Sequence, residues 1–167
     1  MTIDAPVLLD DSHDLGAFDC GVPPLDEWLK RRAGGNAASG ASHTYVACEG
    51  GKAVGYYALA AGAVEVTAAP GRFRRNMPDP IPIVVLGRLA IDRSQQGNGL
   101  GRALFRDAGL RVLQAAAIIG VRGVLVDAIS DDAKAFYLAL GMTVSPLDPM
   151  TLMVTLADLR ASLTLGL

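Results

Sequence analysis

Three closely spaced glycines, Gly97, Gly99 and Gly101, lie in the stretch QQGNGLG, between an apolar run and a helical pattern. Glycine tolerates positive φ and close backbone approach, so successive N–H groups in such a stretch can point into one concavity. A helix that begins there adds the positive end of its dipole, and both features favour a bound phosphate. The stretch therefore predicts a loop that binds a pyrophosphate through its backbone.

Two other glycine-rich phosphate patterns do not fit this stretch. A dinucleotide fingerprint has the spacing G-x-G-x-x-G and an acidic residue about 20 positions later, and neither is present. A Walker loop has Gly-Lys-Ser/Thr, whereas Arg102 and Ala103 follow Gly101. The pattern that remains is Q-x-x-G-x-G, carried by Gln96, Gly99 and Gly101, and a glycine turn without a ligand stays the structural alternative.

The elements around the loop follow from hydrophobic periodicity. The run from Ile81 to Ile91, rich in β-branched residues, predicts a buried strand. After the loop, helical spacing places Leu104, Phe105, Ala108, Val112, Ala115 and Ala116 on one stripe. Gly123 to Ile129 predicts a second strand, which Ser130 follows as the N-cap of a helix that ends at Gly141.

The remaining segments complete an α/β pattern with mixed strand directions. A helix with a basic end follows Pro23 and Pro24, and Pro70 to Pro82 is too rich in proline for a sheet interior and predicts an irregular basic loop. Gly34 to Ser42 has no periodicity and predicts a mobile loop. The other predicted strands are Pro6–Leu9, His43–Cys48, Lys52–Ala60, Ala63–Thr67 and Met150–Leu156, with a short tail from Asp158.

Composition restricts the class of protein. The 167 residues, 51% hydrophobic and 19% charged, predict one globular domain over 1–167. The longest uncharged apolar run, Ala53 to Val64, is shorter than the roughly 20 residues of a membrane span, and no signal pattern occurs, so we expect a cytoplasmic protein without membrane contact. Cys20 and Cys48 predict free thiols, with no disulfide and no metal site.

The Q-x-x-G-x-G pattern, together with the preceding LGRLAID and the later AKAFYLALGM, resembles the acyl-CoA loop region of the Gcn5-related N-acetyltransferases, the GNAT superfamily. The resemblance covers residues 18 to 156. Within the superfamily, FDCGVPPLDEWLKRRA and GRLAID resemble the acetyltransferase toxins of type II toxin–antitoxin systems. The resemblance implies a GNAT fold, in which a central mixed, mostly antiparallel sheet splays at the acyl-CoA site and is flanked by helices.

The same resemblance implies an acetyl-CoA site without a metal. Backbone groups of Leu89, Ala90 and Ile91 are expected to pair with pantetheine, and an amide of that strand to polarise the acetyl carbonyl. Tyr137 is expected to act as the acid that protonates the leaving thiolate, since a tyrosine of pKa near 10 is protonated at neutral pH. The residues expected around the phosphates are Gln96, Gly97, Asn98, Gly99, Leu100, Gly101 and Arg102.

A general base is less evident from the residues. Asp127 ends a predicted strand and Glu65 is a weaker candidate. A peptide α-amine has a pKa of about 8, and esterification of the neighbouring carboxyl lowers it, so the amine of an aminoacyl-tRNA needs no base.

The toxin resemblance implies that the substrate is aminoacyl-tRNA, whose acetylation blocks translation. It also implies a homodimer and a small DNA-binding antitoxin, expected to be of the ribbon-helix-helix type. Two other functions stay open: acetylation of a small amine or a protein N-terminus, and a non-catalytic acyl-CoA-binding regulatory module. The net charge is −2, so tRNA contacts must come from local basic clusters, for which the candidates are Lys30, Arg31, Arg32, Arg72, Arg74, Arg75 and Arg88.

Overall fold

The structure is a computed structural model that describes residues 2–164. Helical turns of the 3-10 type occur at Val66–Ala68 and Arg93–Gln95. The helices and strands, in chain order, are β1 (Val7–Leu8), α1 (Pro23–Arg31), α2 (Ala33–Ser39), β2 (His43–Glu49), β3 (Lys52–Val64), α3 (Gly71–Arg74), β4 (Ile81–Ile91), α4 (Leu100–Ala116), β5 (Gly123–Asp127), α5 (Asp131–Ala139), β6 (Thr143–Val144), β7 (Thr151–Thr155) and α6 (Leu156–Thr164).

The strands form a seven-stranded sheet in the order β1-β2-β3-β4-β5-β7-β6. The pairs β1–β2, β2–β3, β5–β7 and β6–β7 are antiparallel, whereas β4 and β5 are parallel. The parallel pair joins Val84 to Val124 and Val85 to Leu125, and β4 itself continues beyond Val85 to Ile91. The predicted mixed, mostly antiparallel sheet flanked by helices is confirmed.

Residues 2–60 and 87–108 form one compact unit. Its core is aromatic around Tyr56: Trp28 stacks on this ring at 6.0 Å and Phe18 meets it edge-on at 5.5 Å. The buried Tyr56 hydroxyl donates a hydrogen bond of 2.7 Å to the Leu25 carbonyl. Helix α1 is therefore fixed to strand β3 both by ring packing and by a satisfied polar group.

Residues 61–86 and 109–164 form a second compact unit. Phe73, Ile81, Ile83, Leu125 and Met153 lie in its core. The Arg122 guanidinium donates to the carbonyls of Phe73 and Arg72 at 2.8 Å, and Arg72 in turn forms a two-pronged ion pair with Asp158 at 2.8 Å. These bonds fix the short helix α3 within this unit.

The predicted mobile loop from Gly34 to Ser42 is wrong, because residues 33–39 form helix α2. Glycine and serine disfavour a helix, but Ala33 is fully buried and the Asn36 amide donates to the Arg32 carbonyl at 2.9 Å. Burial of Ala33 at the start of the helix offsets the low local propensity, and Gly40, with φ of 81°, ends the helix.

The separate strand predicted at Ala63–Thr67 is also wrong, since β3 runs through Gly62 to Val64. A Cβ atom at Gly62 would lie 2.8 Å from the Val85 side chain. Gly62 thus marks a close approach inside the sheet, not a break between two strands.

The tail predicted from Asp158 is helix α6, with Leu159 and Leu163 buried on one face. The Thr155 hydroxyl accepts a hydrogen bond from the Asp158 amide at 3.1 Å and so caps the start of α6. A threonine three residues before an acidic residue is a local signal for such a cap. The short strand β6 was not predicted either. Within residues 2–164, no helix has the length and apolarity needed to cross a membrane.

The predicted cap of helix α5 is confirmed, because the Ser130 hydroxyl accepts a hydrogen bond from the Ala133 amide at 3.1 Å. We expect Ser130→Ala to lower the free energy of unfolding by about 1 kcal/mol, as loss of an N-cap acceptor does. Urea unfolding measures this change. Ser130→Asp keeps an acceptor at the cap and should retain the stability of the wild type; equal losses in both variants would contradict a capping role.

Candidate functional site

The glycine loop is shaped by its own short-range hydrogen bonds. The Asp92 carboxylate accepts from the Ser94 amide at 3.0 Å and from the Ser94 hydroxyl at 2.7 Å, which starts the turn Arg93–Gln95. Gly97 and Gly99 then adopt φ of 80° and 82°, with open space where a Cβ would stand. The requirement for glycine at these two positions is therefore conformational and not steric.

The backbone amides of this loop are available to a ligand. The first amide of α4 with a main-chain acceptor is that of Ala103, which donates to the Gly99 carbonyl at 3.2 Å, and the Gln96 amide donates to the Arg93 carbonyl at 3.5 Å. Across residues 2–164, no acceptor is found for the amides from Gly97 to Arg102. A row of unpaired N–H groups at the start of a 17-residue helix fits a pyrophosphate.

The Gln96 side chain has a different role from the amides beside it. Its carboxamide nitrogen donates to the Cys20 carbonyl at 2.8 Å and to the Ile91 carbonyl at 2.9 Å. Both protons of the amide group are thereby engaged within the protein. Gln96 holds the loop in place and does not offer these donors to a ligand.

The other residues predicted around the donor lie on β4 and at the start of α4. Ala90 is buried, and Leu89 and Ile91 are half-buried. The chain leaves β4 with the Asp92 amide bonded to the Val54 carbonyl at 2.8 Å. Arg102 is exposed in the first turn of α4.

Tyr137 lies on helix α5 and is 7% exposed. Burial raises the pKa of its hydroxyl to about 12, because the ionised form would lose its hydration. Phe136 is half-buried and packs edge-on against Tyr137 with centroids 5.2 Å apart. Tyr137 is consequently a fixed phenol that stays protonated throughout the physiological range.

The two base candidates differ in their surroundings. The Asp127 carboxylate accepts a hydrogen bond from the Thr151 hydroxyl at 2.6 Å, which orients it at the end of β5. Glu65 is exposed and makes no capping bond at the turn that follows it. Asp127 is therefore the better positioned of the two.

Three of the seven predicted basic residues line one cavity. This cavity has a volume of 540 Å³ and is lined by Pro24, Glu27, Trp28, Arg31, Arg32, Asn36 and Arg88. The Arg88 guanidinium lies 4.2 Å above the Trp28 ring, a cation–π contact that fixes its position. In the part of the chain described, Arg32 and Arg88 form no ion pair, whereas Arg31 lies 3.6 Å from Glu27.

The other four basic candidates lie elsewhere. Lys30 lines a second cavity, of 330 Å³, with Asp10, Asp11 and His13. Arg72 is bound to Asp158, and the Arg74 and Arg75 side chains are exposed around the end of α3. The seven basic residues therefore do not line one common cavity, and neighbours in the sequence such as Lys30 and Arg31 line different ones.

Several residues that shape the site were missed from the sequence. Trp28 on α1 is one of them, because its ring lies under the Arg88 guanidinium. Asp92 has a local signal, since an aspartate two residues before a serine favours a capped turn. Asp19 has a similar local signal, because its carboxylate accepts from the Gly21 amide at 3.0 Å, whereas Asp26 accepts from the backbone amide of Cys20, which no local pattern indicates.

The two cysteines are free and buried, as predicted. Burial raises the pKa of the Cys20 thiol to about 11 and that of Cys48 above its ordinary value, so both thiols are neutral. Among the residues described, no three His, Cys, Asp or Glu side chains lie together as metal ligands.

Comparison with known proteins identifies the family. Residues 40–143 match the family model of the acetyltransferase (GNAT) domain, a match that spans β2 to β6 and contains the glycine loop and Tyr137. The chain belongs to the GNAT acetyltransferases. The predicted superfamily and the predicted N-acetyltransferase activity are both confirmed by this match and by the relatives described next.

This GNAT protein is similar to toxins. It is 49% identical over 157 residues to a tRNA-acetylating toxin of Mycobacterium tuberculosis, which covers 94% of this chain and 95% of the relative. Among solved structures it is similar to AtaT complexed with acetyl-methionyl-tRNAfMet, with 30% identity, a TM-score of 0.86, and coverage of 96% and 97% of the two chains.

A further solved structure contains the other expected components. It is a tyrosine-to-phenylalanine mutant of the AtaT toxin bound to the C-terminus of the antitoxin AtaR and acetyl-CoA. The similarity is 30% identity with a TM-score of 0.80 over 96% of both chains. The predicted toxin branch of the GNAT superfamily is therefore confirmed.

Proposed function

We propose that this GNAT protein transfers the acetyl group of acetyl-CoA to the α-amine of aminoacyl-tRNA and is the toxin of a toxin–antitoxin pair. The observation that carries the proposal is the combination of the free amides from Gly97 to Arg102 with the cavity that contains Arg31, Arg32 and Arg88. The relatives named tRNA-acetylating toxin and AtaT support the same substrate. Since charged tRNA is used in the cytoplasm, we infer a cytoplasmic location.

On the donor side, the loop amides bind the pyrophosphate of acetyl-CoA. Backbone groups of Leu89, Ala90 and Ile91 pair with pantetheine, and Arg102 pairs with a coenzyme phosphate. These contacts use the main chain or an exposed side chain, so no metal is needed to neutralise the phosphates. The family match, which runs through both compact units, supports one GNAT domain over 1–167.

In the transfer step, the amine nitrogen attacks the thioester carbon, the new C–N bond forms and the C–S bond breaks. The Tyr137 hydroxyl donates to the sulfur as negative charge develops on it. With a pKa of about 12, Tyr137 is protonated at neutral pH, and because its phenolate is a stronger base than a thiolate of pKa roughly 8.5, it gives its proton to the sulfur only as it takes up the proton lost by the amine nitrogen. The proton lost by the nitrogen replaces the one given to the sulfur, and the products are the acetylated amine and free CoA.

The pH dependence follows from these groups. The α-amine must be neutral, so the single-turnover rate should rise with pH and level off below about pH 8, because the ester lowers the amine pKa from the value of about 8 that a peptide α-amine has. A group with a raised pKa keeps its proton as the pH rises, so Tyr137 should cause no fall in rate below about pH 10. Rapid-quench measurements between pH 6 and pH 9.5 test this, and a bell-shaped profile with a descending limb near pH 8 would assign the acid to another group.

Two assemblies belong to the proposal. We infer a homodimer and an antitoxin of the ribbon-helix-helix type; the complex of AtaT with the C-terminus of AtaR supports an antitoxin partner. Binding of such a partner would provide the control that a translation-blocking enzyme requires.

Transfer of labelled acetyl from acetyl-CoA to bulk charged tRNA tests the function directly. We expect label on charged tRNA only, with deacylated tRNA and free amino acids as controls. Label on small amines or peptide N-termini instead would establish a different acetyltransferase. Acetyl-CoA binding without transfer to any amine would establish a non-catalytic module.

A further inference from the structure

The glycine loop is attached to a segment far away in sequence, residues 18–21. The Asp92 carboxylate accepts from the Asp19 amide at 2.9 Å, and the Arg93 amide donates to the Asp19 carbonyl at 2.9 Å. The Arg93 side chain also reaches the Asp19 carboxylate at 3.2 Å. Main-chain and side-chain bonds therefore fix the start of the loop on this segment.

A second set of bonds continues from the loop to helix α1. The Gln96 carboxamide donates to the Cys20 carbonyl at 2.8 Å, and the Cys20 amide donates to the Asp26 carboxylate at 2.9 Å. Cys20 is thereby held at both its N–H and its C=O, while its neutral side chain is buried. Asp26 lies on α1, so the order of contacts is Asp26, Cys20, Gln96 and then Ile91 of β4.

We propose that Gln96 is a positioning residue for the donor and that Asp26 acts on the loop through Cys20. The inference rests on the proposed role of the loop as the acetyl-CoA site. A carboxamide is the group that this position requires, because both of its neighbours are carbonyl oxygens and both need a donor. Leucine supplies no donor, and a glutamate would place oxygen against oxygen.

The arrangement joins the two substrate sites. Helix α1 also carries Trp28 and Arg31 of the arginine cavity. Helix α1, which lines the cavity that contains Arg31, Arg32 and Arg88, is thus bonded to the glycine loop through Asp26 and Cys20. A change at Asp26, which has no direct contact with the loop amides, should alter the affinity for acetyl-CoA.

Calorimetric titration with acetyl-CoA tests the proposal through a double-mutant cycle. We expect Gln96→Leu and Asp26→Ala each to weaken binding about tenfold, the size expected when a part-buried hydrogen-bond partner is lost. Because both substitutions break the same series of hydrogen bonds, from Asp26 through Cys20 to Gln96, the double variant should also bind acetyl-CoA about tenfold more weakly, and not about a hundredfold. Asp11→Ala, at an exposed carboxylate in a polar turn, is the matched control and should bind within twofold of the wild type.

The outcomes separate the proposals. Acetyl-CoA affinity within twofold of wild type for Asp26→Ala, or single losses that multiply in the double variant, would overturn the positioning role. Gln96→Glu should be as weak as Gln96→Leu, and wild-type binding by this variant would overturn the need for two donors. Failure of the wild type to bind acetyl-CoA would overturn both the loop assignment and this inference, whereas binding without transfer to charged tRNA would overturn only the acceptor assignment.

Discussion

Replacing Tyr137 with phenylalanine is expected to lower kcat for acetyl transfer by about 100- to 1000-fold, the range for loss of a positioned general acid. The variant keeps the ring, which is 7% exposed and packs against Phe136. It removes only the proposed proton donor for the departing thiolate. The affinity for acetyl-CoA should therefore be unchanged, since the proposed binding groups are loop amides and β4 backbone.

Single-turnover transfer and acetyl-CoA titration measure the two effects separately. Tyr45→Phe is the matched control, because Tyr45 lies on β2 and stacks on Tyr57 with ring centroids 5.3 Å apart. It removes a phenol hydroxyl from a residue to which no chemical role is assigned. If Tyr137→Phe retained kcat within a factor of two, or lost acetyl-CoA affinity in step with kcat, the acid would have to be another group.

The parts of the site that the sequence predicted are those with local causes. Positive φ at Gly97 and Gly99, the cap at Ser130 and the strand Ile81–Ile91 each depend on neighbouring residues or on one periodicity. Local signals failed where packing decided the outcome. Helix α2 forms in spite of Gly34 and Gly35 and buries Ala33, and α6 forms because it buries Leu159 and Leu163.

Contacts across long sequence separations could not be predicted from composition or spacing. Gln96 and Cys20 are 76 positions apart, so no local pattern indicates that the Gln96 side chain donates to the Cys20 carbonyl. Trp28 had the spacing of a core residue, and only the structure places Arg88 over its ring. The motif therefore predicted the backbone conformation of the loop, whereas contacts of the folded chain determine what holds the loop in place.

The basic residues proposed as tRNA contacts differ in how firmly their side chains are held. Arg88 is held by the indole of Trp28, and this stacking leaves the edge of the guanidinium free to donate to a phosphate. Arg32 lines the same cavity without an ion pair in the described chain. By contrast, Arg72 gives two donors to Asp158. A preorganised cation loses less side-chain entropy on binding, so Arg88 should contribute more than the exposed Arg74 and Arg75.

Arg88→Glu is accordingly expected to lower kcat/KM for charged tRNA by about 30-fold, because it replaces a phosphate contact with a like charge. The loss should appear in KM and leave acetyl-CoA affinity unchanged. One lost phosphate contact should also reduce the salt dependence of tRNA binding by about 0.7 to 0.9 in the log–log slope.

Arg160→Glu makes the same charge change at an exposed position of α6 and controls for the net charge of the protein. The double variant Arg74→Glu with Arg75→Glu tests the second basic cluster in the same assay. Equal losses in the Arg160 and Arg88 variants would show that only overall charge matters. A larger loss from Arg74 and Arg75 than from Arg88 would place the main tRNA contact around α3 and refute the ranking by preorganisation. If Arg88 contacts a phosphate, kcat/KM for charged tRNA should fall in Arg88→Glu and not in Arg160→Glu, and tRNA binding by Arg88→Glu should depend less on salt.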